Sequence, residues 1–181
     1  MKILMYSMKR FLFICLFALS TAAASSQEIH DVGVSAIDFA AGKSGIGFTG
    51  RVAMMKNTSP SFYLKLQAAG DFGRLYNLRY QLYSFDVLGY VKPFYISEFF
   101  QLNIGGGLTA GYEHINNLPE ENAKNIGFSA GIKGSVEAEV FLNDQVGAFL
   151  YGDQSLLLKK SLGKNRYGLG VGIRIFLNNY R

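Results

Sequence analysis

The stretch SAGIKGSVEAEVFLND, residues 129–144, alternates with a period of two. Ser129, Gly131, Lys133, Ser135, Glu137 and Glu139 fall on one side of an extended chain; Ala130, Ile132, Val136, Ala138 and Val140 fall on the other. Such a strand separates two different solvents. In a water-soluble sheet the apolar side turns inward, whereas in a membrane barrel it turns outward, toward lipid.

The same period recurs along the chain, and no segment after the N-terminal leader has a helical period. Eight strands are predicted, over residues 32–40, 45–55, 62–72, 78–94, 100–113, 125–144, 145–158 and 166–177. In the last, Tyr167, Leu169, Val171, Ile173 and Ile175 share a side opposite Arg166, Gly168, Gly170, Gly172 and Arg174. In the fifth, Leu102, Ile104, Leu108, Ala110 and Tyr112 oppose Gln101, Asn103, Gly105, Gly107, Thr109 and Glu113. In the second, Ile46, Phe48, Val52 and Met54 oppose Gly47, Thr49 and Arg51. The connectors also alternate. KNTSP, YISE and ND are short; GRLYN, HINNLPEENAK and KKSLGKN are longer, with GKS as the exception. Tight turns at one end and longer loops at the other are the habit of outer-membrane barrels with an even strand number.

Alternation alone also fits a soluble sandwich or a lipocalin-like barrel, so the polar faces must decide. They are rich in glycine, which is 21 of 181 residues against a usual ~7%. Glycine covers little and suits a crowded concave interior. The polar faces also carry both signs of charge. Arg51, Lys65, Lys133, Arg166 and Arg174 stand against Asp71, Asp86, Glu113, Glu137, Glu139 and Asp153, a set able to neutralise itself inside a narrow lumen. The predicted fold is therefore all-β: a single antiparallel up-and-down transmembrane β-barrel of about eight strands. Phe149 and Tyr151 fit this facing less well, since they fall on the lumen side. An eight-stranded barrel is just filled by its own side chains, so a salt-bridged core without a pore is expected.

The chain opens with Lys2, Lys9 and Arg10 before an apolar run over residues 11–19, then Ala22, Ala23 and Ala24. These are the three parts of a cleaved secretory signal peptide. Residues 1–27 are assigned to it and residues 28–181 to the barrel. Bulky Ile14 before Cys15 departs from a lipoprotein signal. Cys15 is the only cysteine, so no disulfide is expected in the barrel. Without the three leader cations the net charge falls from +5 to +2, which gives no argument for direct nucleic acid binding. Expected partners are outer-membrane lipid and the barrel-insertion machinery of a Gram-negative bacterium.

Candidate chemistry is sparse. His30 and His114 have no metal-ligand partner at strand spacing. A barrel-embedded lipid-modifying enzyme would need a base near a serine, and His114 with Ser129 is the pair to consider. Gly105–Gly107 has neither the helix nor the lysine of a phosphate loop. Asp71-Phe72-Gly73 lacks the rest of a kinase signature. No catalytic residue, metal site or cofactor is assigned, and the protein is read as non-enzymatic. In GVGIRIF, Gly170, Ile173 and Ile175, followed by Phe176, have the spacing of the last-strand signal read by the insertion machinery.

Three blocks, GGGLTAGYEHIN (residues 105–116), EAEVFLND (residues 137–144) and YGLGVGIRIF, together resemble the conjugative transposon protein TraO family of Bacteroides-type bacteria. The resemblance runs from about residue 62 to the end. It implies an outer-membrane component of a conjugative DNA-transfer apparatus and supplies no catalytic residues. It would make the loop over residues 114–124, with His114, Asn116, Asn117, Glu120, Glu121 and Lys124, a contact surface for other transfer proteins, since loops on rigid scaffolds commonly carry binding. The alternative is a general surface barrel for adhesion or envelope integrity.

Overall fold

The computed structural model describes residues 35–45, 47–59, 61–75, 78–97, 100–116, 127–158 and 165–177. They form eight strands: β1 (Ser35–Ser44), β2 (Gly47–Ser59), β3 (Phe62–Leu75), β4 (Leu78–Ser97), β5 (Phe100–Asn116), β6 (Gly127–Phe141), β7 (Val146–Leu157) and β8 (Asn165–Phe176). Each pairs antiparallel with its sequence neighbours, and β1 also pairs with β8, closing the barrel. Closure removes both sheet edges, so every strand spends its backbone donors and acceptors within the sheet.

The registers define the shape. Directly opposed residues lead from Lys43 through Phe48, Phe72 and Gln81 to His114. In the other direction they lead from Lys43 through Leu169, Gly152 and Val136 to Ile104, ten residues from His114 on β5. A stagger of that size tilts the strands steeply, into the ~35–45° range of closed barrels.

Apolar side chains face out. Val171 is 58% exposed and Ile173 52%, while Lys65 is 2% and Arg174 1% exposed. The opposite arrangement would bury the apolar set and solvate the charges. This barrel is inverted relative to a soluble one, and its outer wall is matched to hydrocarbon. Six aromatics, Phe48, Phe72, Tyr83, Tyr112, Phe128 and Tyr167, face outward toward the loop end opposite the chain termini, as an interfacial belt does.

Strand ends differ from the sequence reading. β1 continues through Gly42, Lys43 and Ser44, β3 and β4 leave only residues 76–77 between them, and β5 reaches Asn116. His114 and Asn116 are thus strand residues rather than loop residues. The reason is that the apolar pattern stops before the hydrogen-bonded ladder does. Beyond the aromatic belt a strand keeps pairing while its outward positions turn polar, as at Arg74, Arg79 and His114. Residues 1–27, Asn117, Glu120, Glu121 and Lys124 lie outside the described residues.

The lumen-facing glycines make room for rings. Tyr90 lies directly opposite Gly105, and Phe149 directly opposite Gly172. A Cβ on Gly105 would come within 2.5 Å of the Tyr90 ring. Gly105→Ala should therefore overpack the lumen and destabilise the barrel by about 1–3 kcal/mol, measured by urea unfolding in lipid vesicles. Gly134→Ala, with nothing within 4 Å of the added carbon on the outer wall, is the control and should change little.

Candidate functional site: the charged lumen

The interior is stacked in three levels. Nearest the termini, Arg174 donates through Nε and Nη2 to Asp38 at 2.7 and 2.8 Å, through Nη2 to Glu137 at 2.8 Å, and through Nη1 to Glu139 at 2.5 Å. Lys65 bridges Asp38 at 2.7 Å and Glu137 at 2.5 Å. Tyr63 and Tyr90, stacked 4.8 Å apart and nearly parallel, donate their hydroxyls to Glu137 at 3.2 and 3.1 Å. Asn103 donates to Glu139 at 3.2 Å. Below this network an apolar plug forms from Ala36, Met55, Leu88, Tyr63, Tyr90 and Phe176, with Phe141 against it.

In the middle level, Lys133 bridges Asp86 at 2.7 Å and Asp153 at 3.2 Å. Arg51 also pairs with Asp153, and Gln67 donates to Asp86 at 2.7 Å. At the loop end, Arg166 pairs with Glu113 and donates to the Tyr80 hydroxyl. Asp71, Tyr80 and Arg166 line a cavity of about 220 Å³ there with Ser44. Register brings partners to one height, as where Asp38 is directly opposed to Arg174 and Gln67 to Asp86, and alternate positions of each strand share the lumen face.

The eight lumen charges singled out above, Arg51, Lys65, Asp86, Glu113, Lys133, Glu137, Glu139 and Arg174, are thus all placed inside, in three separate clusters. The sequence reading missed Asp38, which accepts both arms of Arg174, and Lys92, buried over the Tyr63 ring at 5.7 Å. A signal for Asp38 was present: it alternates with Ile37 and Phe39, which face out. On β4 the lumen side carries Leu82, Leu88 and Tyr90 besides Asp86, and that apolar content hid the parity of Lys92.

Phe149 and Tyr151 have a role in the lumen. Arg174 and Lys65 lie 5.1 and 5.0 Å from the Phe149 ring, and Arg51 lies 4.0 Å from the Tyr151 ring. Aromatic faces attract cations removed from water. The rings therefore fill volume without opposing the charges.

Of the last-strand signal, Ile173 and Ile175 face out, Gly170 faces the lumen beside Tyr151, and Phe176 turns inward into the plug. The His114–Ser129 pair is not brought together: His114 is exposed on the outer face and Ser129 is buried on the inner one. Among the described residues no group of three or more His, Cys, Asp or Glu side chains is arranged to hold a metal ion.

No family model matches the chain, and no curated protein does. Solved structures do. Neisserial surface protein A is 14% identical, with a TM-score of 0.57 over 78% of this chain and 94% of that one. The N-terminal β-barrel domain of Pseudomonas aeruginosa OprF is 12% identical, with a TM-score of 0.54 over 82% of this chain and all of that one. Ail, the attachment invasion locus protein of Yersinia pestis, is 9% identical, with a TM-score of 0.52 over 81% and 99%. At these identities the shared property is architecture, and the chain has the fold of the eight-stranded outer-membrane barrels.

Proposed function

We propose that this chain is a non-enzymatic surface barrel of a Gram-negative outer membrane, secreted by its leader and inserted by machinery that reads β8. It serves adhesion or envelope integrity as a self-sealed anchor. The carrying observation is the filled lumen under an apolar wall. Arg174, Tyr63, Tyr90, Lys65, Leu88, Gln101 and Glu137 are each no more than 2% exposed at one end of the barrel. Buried charges this fully paired leave little for a permeating ion to displace. In planar bilayers the purified protein is expected to give no stable conductance; large steady openings would overturn the anchor reading.

A narrower reading, an outer-membrane part of a conjugative transfer apparatus, is favoured by the three blocks around residues 105–116, 137–144 and 167–176. One deletion strain separates the two. Loss of attachment or raised detergent sensitivity, with transfer frequency intact, supports the general surface barrel. A selective fall in transfer supports the conjugative role, in which residues 114–124 would be the contact segment.

A further inference from the structure

We propose that the outer wall carries a site for the phosphate-bearing headgroup of a membrane lipid, built on Arg74 and Arg79 with Gln81 and His114 beside them. The proposal rests on the membrane-barrel reading. Arg74 and Arg79 are directly opposed across β3 and β4, and both are exposed. Gln81 is directly opposed to Phe72 on one side and to His114 on the other, so the patch spans three consecutive strands.

Like charges directly opposite on one sheet face destabilise it. Among the described residues neither arginine has a carboxylate partner. The acidic residues nearest along the strands, Asp71 and Glu113, face the lumen, and Glu113 is paired with Arg166. Among the described residues the opposed guanidiniums have no anion, and phosphate matches them, since a guanidinium can grip it through two parallel hydrogen bonds.

The surroundings select a lipid over a dissolved ion. Just toward the barrel middle stand Phe72, Tyr83 and Tyr112, with the Phe72 and Tyr83 rings edge to face at 5.8 Å. Outward aromatics of this kind sit at headgroup depth. Next to Tyr83 and Tyr112 begins an apolar trough of about 520 Å³ across β4–β7, lined among others by Phe85, Val87, Leu108, Ala110, Ala130 and Ile132. Ala110 and Ala130 are directly opposed and form its shallow floor. Cationic rim, aromatic shelf and apolar trough follow the order of phosphate, interface and acyl chains in a lipid.

The chain has no tryptophan, so Tyr112→Trp gives a single reporter on the shelf. The barrel is reconstituted in phosphatidylcholine vesicles containing brominated phosphatidic acid or, separately, brominated phosphatidylcholine. Brominated phosphatidic acid is expected to quench the reporter at lower mole fraction, with a preference of about fivefold per arginine. Arg74→Gln/Arg79→Gln should abolish the preference, and Arg74→Lys/Arg79→Lys should retain part of it. Heat-modifiable gel migration confirms that each variant is folded. Equal quenching by both lipids, or a preference that survives the double Gln variant, overturns the site while leaving the membrane reading intact. Absence of quenching by either lipid overturns the membrane reading itself. A preference erased by inorganic phosphate, at ionic strength matched with chloride, would assign the arginines to free phosphate and overturn the lipid assignment.

Discussion

Replacing Arg174 with methionine is expected to destabilise the barrel by about 3–5 kcal/mol, because it leaves buried carboxylates without their cation. Arg174 is the common partner of Asp38, Glu137 and Glu139. Lys65 still reaches Asp38 and Glu137, but among the described residues Glu139 has no other ion-pair partner within 4 Å. The compensating change is therefore Glu139→Gln. Arg174→Met/Glu139→Gln removes one charge of each sign and should recover a large part of the loss, since a pair replaced together leaves no isolated charge behind. Urea unfolding in lipid vesicles, read by heat-modifiable migration, gives both numbers. A single variant as stable as the parent would mean that the lumen network does not hold the barrel together.

The second large effect concerns the wall. Val171→Arg places a guanidinium on the lipid face of β8, well away from the loop-end aromatics, and should cost about 2–4 kcal/mol in a bilayer. The same substitution on a soluble barrel would lie on a solvated face and change stability within about 0.5 kcal/mol. The measurement therefore tests the inversion of the sheet directly. Full stability of Val171→Arg in vesicles, together with a monomer that stays dissolved in detergent-free buffer, would reverse the assignment of inside and outside.

These two substitutions fall on one strand three residues apart and act through opposite environments. Arg174 is enclosed among carboxylates and the Tyr63 and Phe149 rings, whereas Val171 meets hydrocarbon. A period of two makes that separation legible from the primary structure. On β8 and β6, where one face is almost purely apolar, parity alone assigns every side chain. On β4 it does not, because Leu88 and Tyr90 face inward beside Lys92 while Val87 and Val91 face outward. A strand apolar on both faces has no legible parity, and only its pairing with β3 and β5 orients it.

Strand ends were less legible for a related reason. Hydrophobicity marks where a strand leaves the lipid, and hydrogen bonding marks where it stops pairing. At the β3–β4 and β5 ends these boundaries differ, which turned a predicted loop residue, His114, into a strand residue and created the opposed pair Arg74 and Arg79. Neither arginine draws attention in a linear reading, since they stand on either side of a short connection in a polar stretch.

The sequence by itself determined that the chain is a sheet of about eight strands with charges enclosed and hydrocarbon outside. That information is local, carried by alternate positions within each strand. The tertiary structure alone decided which charges meet. The stagger around the closed barrel brings Asp38 of β1 to Arg174 of β8, and Arg51 of β2 to Asp153 of β7. Such partners depend on the registers at the seam where β1 meets β8 and on those beside it, and a pairing between the two ends of the chain is written in no single strand.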